Sequence, residues 1–194
     1  MNFLAHAHLS GENSDLLFGN FIADAVKGDA SLRYKNDILA GITLHRKIDS
    51  YTDSHRVHKN SRDLIRNRFG KYSGIVVDIF YDHFLAKQWE NYSQVPLGEY
   101  TSWVYKEVSK RFFLLPYRTK RILPFMISQN WLLNYAHFDG LENVFYGMDR
   151  RTRFVSGMQH AVEVLKEQYP HLEADFNTFY PELIKYVASL KKNS

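Results

Sequence analysis

The sequence predicts an all-α fold, a single-domain helical bundle spanning residues 1–194. Three observations carry that prediction. Only 10 Gly and 5 Pro punctuate the 194 residues, too few breakers for a many-turned β domain. Apolar residues make up 45% of the chain, enough for one sizeable core, and they recur at helical spacing. No linker, internal repeat or low-complexity run divides the chain, so nothing demands a second domain.

Composition also bounds function. The chain has no Cys, which excludes disulfides, thiolate metal sites and Cys nucleophiles and fits a reducing compartment. The opening MNFLAHAHLS lacks a basic leader region, and His6 and His8 break its apolar run, so it does not read as a secretory signal. No apolar run reaches the roughly 18 residues of a membrane span. A soluble, cytoplasmic protein with no membrane partner is the expectation. A formal charge of +4 and a pI near 9.1 lean toward an acidic partner, for which nucleic acid, an acidic protein or a phosphate-bearing small molecule all suit.

The first expected helix runs from about Asp15 to Lys27, with Ser14 as N-cap and Gly28 at its end. Leu17 and Phe21 face inward; Asp24 shares their arc, with Asn20 one turn before it. Asn36-Asp37 opens a second helix whose inward stripe is Ile38, Ile42 and Ile48. His45 and Asp49 stand four apart on that stripe, and Asp53 continues it. This spacing either points a nitrogen and an oxygen at one cation or makes a His–Asp pair that fixes a tautomer. Arg46 beside them suits a phosphate oxygen or one of the acids. The segment from Ser54 to Phe69 is strongly basic, with Arg56, Lys59, Arg62, Arg66 and Arg68. It reads as a solvated helix or as one edge of a docking face. His55 and His58 at its entrance read as incidental surface histidines.

Gly70 and Ser73-Gly74 precede the stretch Gly74 to Trp89, GIVVDIFYDHFLAKQW. Asp78 and Asp82 lie about 40° apart on its helical wheel, on the same arc as Ile75, Ile79, Leu85, Ala86 and Trp89. Two carboxylates on a core-facing stripe are costly unless a cation or hydrogen-bond donors meet them. A further helix is expected from Glu99 to Phe113, another with Pro116 in its first turn, and a kink or split at Pro124. Phe112, Phe113, Leu114, Leu115, Trp131, Leu132 and Leu133 read as core. His137 and Asp139, near Gly140, read as a cap, and Arg150, Arg151 and Arg153 as a basic cluster. Helices from Phe154 to Gln168 and from Phe176 to Leu190 close the chain, separated by a break at Tyr169-Pro170 and with Pro181 early in the last one.

No GxxxxGK, GxGxxG, GxSxG or HExxH motif is present. Asp24, His45, Asp49, Asp78, Asp82 and His83, inward-facing residues of three helices, remain. An oxygen-rich set with a minority of His suits Mn²⁺ or Mg²⁺ better than a structural Zn²⁺. Such a site activates water and screens a phosphoryl oxygen, which makes phosphoester hydrolysis the natural reaction class.

The blocks MNFLAHAHLS, GNFIADAVKG, GITLHRKIDSYTDSH and DIFYDHFLAKQW, in this order and spacing, resemble the acyl carrier protein phosphodiesterases; NWLLNYAHFDGLENVFYGMDRR is similar in character. The resemblance implies hydrolysis of the 4′-phosphopantetheine–serine phosphodiester of holo-acyl carrier protein, a step of prosthetic-group turnover in lipid metabolism. It implies a divalent cation, Mn²⁺ first and Mg²⁺ second. It also implies distant kinship with the HD phosphohydrolases, whose H…HD…D ligands sit on a helical fold. No adjacent His-Asp exists in this chain, only the reversed Asp82-His83. The implied metal ligands are Asp24, His45, Asp49, Asp78 and Asp82, with His83 as general acid or supporting group and His6 and Arg46 completing the catalytic set. His6 and His8, two apart, would bind together only from an extended segment. The implied partner is an acidic carrier protein, not nucleic acid, meeting the basic helix from Arg56 to Arg68 and the cluster from Arg150 to Arg153. The competing expectations are an HD-like hydrolase of a nucleotide or small phosphodiester, and a non-catalytic module that only binds the carrier. Nothing in the sequence speaks to oligomeric state.

Overall fold

In the computed structural model, which describes residues 1–150, 152 and 156–192, the described residues form helices and no strand. The α-helices are α1 (Phe3–Ser10), α2 (Ser14–Ile22), α3 (Asn36–Ser54), α4 (Arg56–Phe69), α5 (Ser73–Lys87), α6 (Leu97–Lys110), α7 (Tyr117–Ser128), α8 (Trp131–Asn134), α9 (Phe138–Asp149), α10 (Ala161–Glu167) and α11 (Tyr169–Lys192). Short 3-10 turns lie between several of them, including Ala23–Ala25 and Gly28–Arg33 after α2.

α5 is the hub. It packs against α1, α4 and α11, and residues from Val76 to Ala86 are buried on nearly every side. A helix apolar all round has no solvent face, so the wheel resolves its sides poorly. Ile79, Leu85, Ala86 and Trp89 are buried as the stripe requires, but Ile75 is exposed.

The N-terminal block forms a helix of its own. The Asn2 side chain caps α1 by accepting the N–H of Phe3 at 2.8 Å. α2 is capped by Asn13, not Ser14, and ends at Ile22, because the 3-10 turn carries Asp24 out of the helix. α11 is one helix, so Tyr169-Pro170 is its first turn, where a missing N–H costs nothing, and not a break. Pro124 sits within α7 without splitting it. His137 occupies the N-cap of α9 but makes no side-chain cap bond, while Asp139 in the first turn suits the helix dipole.

Two further expectations are corrected. Phe112, Phe113 and Leu114 are exposed, Phe113 at 91%, whereas Leu115, Trp131 and Leu132 are buried. His58 is buried instead of lying at the surface. Of the arginine cluster, Arg151 and Arg153 lie outside the described residues, as does the expected helix start at Phe154.

α2 and α3 cross at backbone contact. A Cβ on Gly19 would stand 2.0 Å from the Ile38 carbonyl oxygen, and one on Gly41 2.2 Å from that of Leu16. Neither neighbour is a side chain that can move aside. This crossing sets Asn20 of α2 against His45 of α3. Gly41→Ala should therefore destabilise the protein by about 3 kcal/mol and lower its Tm by roughly 6–12 °C, as read by thermal unfolding. A Tm within two degrees of wild type would contradict the close crossing.

Candidate active site

Four segments meet at the α2–α3 crossing. His6 comes from α1, Asn20 from α2, Asp24 from the turn that follows, and His45 and Asp49 from α3. His6, His45 and Asp49 each offer a ligand atom, and together they form a group that can hold a metal ion. His6 Nε2 lies 3.2 Å from Asp49 Oδ1, and His45 Nε2 lies 3.1 Å from Asp49 Oδ2. Asp24 Oδ1 stands 3.2 Å from His45 Nε2. The two imidazoles stack, with centroids 3.9 Å apart.

Asn20 sets the tautomers. Its amide nitrogen donates to the His6 carbonyl and to Ser10 Oγ, both at 2.9 Å, so Oδ1 is turned toward the imidazoles. His6 Nδ1 then donates to Asn20 Oδ1 at 2.8 Å, and His45 Nδ1 to the Asn20 carbonyl at 2.9 Å. Both Nδ1 atoms are thus protonated, which leaves Nε2 as the ligand atom on each ring. His6 Nε2 is buried and makes no hydrogen bond, although Asp49 is close. A lone pair facing a carboxylate oxygen is the arrangement a cation resolves.

The charges follow from the contacts. Burial works against a charged His45, but Asp24 and Asp49 beside Nε2 outweigh it and raise the ring to about 9. Burial lowers His6, aided by the charge of His45. Burial would raise Asp49, yet its bond to His45 holds it well below the usual carboxylate range. Without a metal, His45 is an imidazolium and occupies with its proton the space between two acids. Asp24 and Asp49 also line a cleft of about 230 Å³ with Met1, Asn2, Thr52 and Asp78.

Asp82 turns to the N-terminal segment, away from this cluster, whereas Asp78 meets the Met1 amine at the wall of the cleft that Asp24 and Asp49 line. Asp82 is fully buried and accepts backbone N–H groups from Asn2 at 3.3 Å, Leu4 at 2.7 Å and Ala5 at 3.3 Å. These are the orphan donors at the start of α1. Burial, opposed by those amides, raises its carboxyl to about 7. Asp78 Oδ1 lies 2.9 Å from the Met1 amine and 3.0 Å from His58 Nε2. Burial is outweighed there by the amine charge, and Asp78 falls to about 2. Arg46 is exposed and reaches the Val26 carbonyl at 3.4 Å, close to the Asp24 turn.

His83 faces another cavity, of about 400 Å³, lined with Lys87, His137, Phe138, Lys166 and Tyr169. Its Nδ1 donates to the Tyr135 carbonyl at 2.7 Å, and burial lowers it to about 4. That cavity is the larger of the two, but Asp24, Asp49 and Asp78 line the other one, and the paired imidazoles contact Asp49. His8 also points elsewhere, to the Tyr180 hydroxyl at 2.7 Å, because a helix sends residues two apart in different directions. Sequence reasoning noticed Asn20 only as a neighbour of Asp24. Its place one turn before Asp24, on the face that meets His45, was the available signal.

A family model described as acyl carrier protein phosphodiesterase matches residues 1–183. Curated relatives bearing that name include one from Photorhabdus laumondii, 31% identical over 188 residues, covering 95% of this chain and 94% of the relative. One from Escherichia coli O6:H1 is 32% identical over 186 residues, covering 95% and 96%. One from an Enterobacter strain is 31% identical over 185 residues, covering 95% and 96%. No solved structure matches the chain.

The raised His45 makes a pH prediction for metal-free protein. A group whose folded pKa exceeds its unfolded value stabilises fully below the unfolded value, near 6.5 for His, and loses that contribution as pH rises through the folded value. Stability of chelator-treated protein should fall between pH 6.5 and about 9, with an order of 2 kcal/mol at stake. Urea unfolding across that range checks it, and His45→Gln should flatten the slope. An unchanged slope in the variant would remove His45 as its source.

Proposed function

Because the chain belongs to the acyl carrier protein phosphodiesterase family, we propose that it hydrolyses the phosphodiester between 4′-phosphopantetheine and the serine of holo-acyl carrier protein, giving apo carrier and 4′-phosphopantetheine. On this reading a divalent cation is held by His6, His45 and Asp49, with Asp24 beside them. Mn²⁺ is the first choice and Mg²⁺ the second, as the family resemblance implies. The observation that carries the metal reading is the buried, unbonded Nε2 of His6, whose ring is already fixed through Nδ1.

When bound, the cation supplies a polarising charge for a phosphoryl oxygen and water of lowered pKa. The chain's own residues do the rest. Asn20 holds both rings by their Nδ1–H groups and presents Nε2. Asp49 and Asp24 supply negative charge at the cleft wall. Arg46, at the rim, meets a phosphate oxygen of the substrate. Asp78 and Asp82 act as positioning residues for α1, and so for His6. His83, bonded to the Tyr135 carbonyl, fixes α5 against the segment before α9, so the leaving serine oxygen takes its proton from water in the cleft. The bundle is, on the same reading, an irregular relative of the HD phosphohydrolases with its His and Asp ligands dispersed over separate segments. The reaction belongs to prosthetic-group turnover in lipid metabolism. No helix among the described residues is long and apolar enough to cross a membrane, and we place the enzyme in the cytoplasm with its carrier.

Incubation of purified protein with holo-carrier should remove the pantetheine arm with Mn²⁺ and not with chelator, as read by intact mass. Intact holo-carrier at high enzyme and metal would eliminate this substrate. His6→Ala and Asp49→Ala should abolish detectable turnover. Asn20→Ala should weaken Mn²⁺ binding about 10–100-fold in a direct metal titration, since it removes the side-chain oxygen that orients His6, while the Asn20 carbonyl still holds His45. Full affinity in that variant would argue against the ligand set.

A further inference from the structure

The longest acid-free stretch of the chain runs from Val108 to Phe138 and contains Lys110, Arg111, Arg118, Lys120 and Arg121. It spans the end of α6, a 3-10 turn at Phe112–Leu114, α7 and α8. Here four large apolar residues are more than half exposed, Phe113 at 91%, Tyr117 at 76%, Phe125 at 60% and Leu114 at 52%. Tyr117, Arg121 and Phe125 follow one another at four-residue spacing in one row on α7. The Arg121 guanidinium lies 5.9 Å from the Tyr117 ring centroid.

Exposed aromatics in one continuous patch mark a surface that another molecule covers. Tyr, Phe and Arg are the residues enriched at the centre of protein interfaces. The cations identify the partner's charge. Lys110 and Arg111 are spent on Glu107 and Asp15, but Arg118 and Arg121 meet no carboxylate among the described residues. The basic helix α4 is different. Its Arg62 faces Asp53 at 3.5 Å, Arg66 faces Asp63 at 3.6 Å, and Arg68 faces Glu167 at 3.5 Å. Much of its charge is already answered by this chain.

The patch also lies beside the candidate site. α7 packs on the 3-10 turn that carries Asp24. Tyr34, at the end of the next 3-10 turn (Gly28–Arg33), donates its hydroxyl to the Leu114 carbonyl at 2.9 Å. An acidic protein seated here brings a serine-linked arm toward the Asp24 wall of the cleft. We propose that Phe113, Leu114, Tyr117, Arg118, Arg121 and Phe125 form the docking surface for the acidic carrier protein, a role that rests on the phosphodiesterase reading above. The aromatics give the contact its apolar centre, and the arginines give it charge selectivity and salt sensitivity.

The test uses the full chain, labelled apo-carrier and fluorescence anisotropy at low and moderate salt. Phe113→Ser and the double variant Arg118→Glu/Arg121→Glu alter exposed side chains, so Tm and Mn²⁺ titration should match wild type. Carrier binding should weaken at least about ten-fold in each, and the salt dependence should diminish in the double variant. In holo-carrier hydrolysis the loss should fall on KM with kcat nearly kept. Wild-type affinity in both variants would overturn the proposal, as would a larger loss from Arg62→Glu/Arg66→Glu on α4. A wild-type dimer that Phe113→Ser converts to monomer would reassign the patch to a second copy of this chain and likewise overturn it. Patch-dependent binding with the pantetheine arm left intact would support the docking surface while sinking the hydrolysis, so the two readings fail separately.

Discussion

Three backbone amides aimed at one buried carboxylate hold the geometry of the candidate site in place. Asp82 sits on the central helix, cut off from water, and takes the N–H groups of Asn2, Leu4 and Ala5. α1 has only eight residues and cannot hold itself helical in water. Its first turn exists because Asp82 satisfies the amides that a helix leaves unpaired. Asp78 adds a second tether one turn away by meeting the Met1 amine and His58. His6 is carried on the helix so fixed, and its imidazole arrives against His45 from that direction. Asp82 thus acts at a distance from the cleft chemistry and Asp78 from the cleft wall, and both tether the segment that carries His6.

The second constraint is steric. α2 and α3 touch through Gly19 and Gly41, with no room for a methyl group on either side. That proximity lets one Asn20 serve two imidazoles, one through its side-chain oxygen and the other through its carbonyl. The cluster that results is held apart in charge. His45 draws its proton from the field of Asp24 and Asp49, while His6 keeps a buried, neutral ring with an open nitrogen. A cation and the His45 proton compete for the same space, so metal affinity rises as that proton is lost.

The sequence exposed these parts unevenly, for physical reasons. The helical frame was legible because few breakers interrupt the apolar pattern. His45 and Asp49 were legible because four-residue spacing places both on one face whatever they meet. Asp24 was expected inward by its arc, yet it is exposed in a turn beyond the helix end, and only its Oδ1 approaches His45. Asp78 and Asp82 were legible as buried acids needing partners, but the partners were not. Those partners are an amine, a distant histidine and backbone amides, none of which leaves a mark in side-chain spacing. α5 compounded this, since a helix buried on all sides has no stripe to separate a ligand from an anchor. His83 was drawn into the roster by adjacency to Asp82, and a step of about 100° turned it toward a different cavity.

Phe112, Phe113 and Leu114 were misread for a reason that bears on function. Hydrophobicity records the need to leave water, and a partner's surface satisfies that need as well as a core does. What separates the two cases is the company the residues keep. In the core near Leu123 and Met126, apolar side chains meet other apolar side chains. Along α7 they alternate with Arg118 and Arg121, which meet no carboxylate among the described residues. An interior cannot accept unpaired guanidinium groups, whereas an interface with an acidic protein can. The same segment braces the Asp24 turn through α7 and the following 3-10 turn through Tyr34, so a partner docked there would load the element that forms one wall of the cleft.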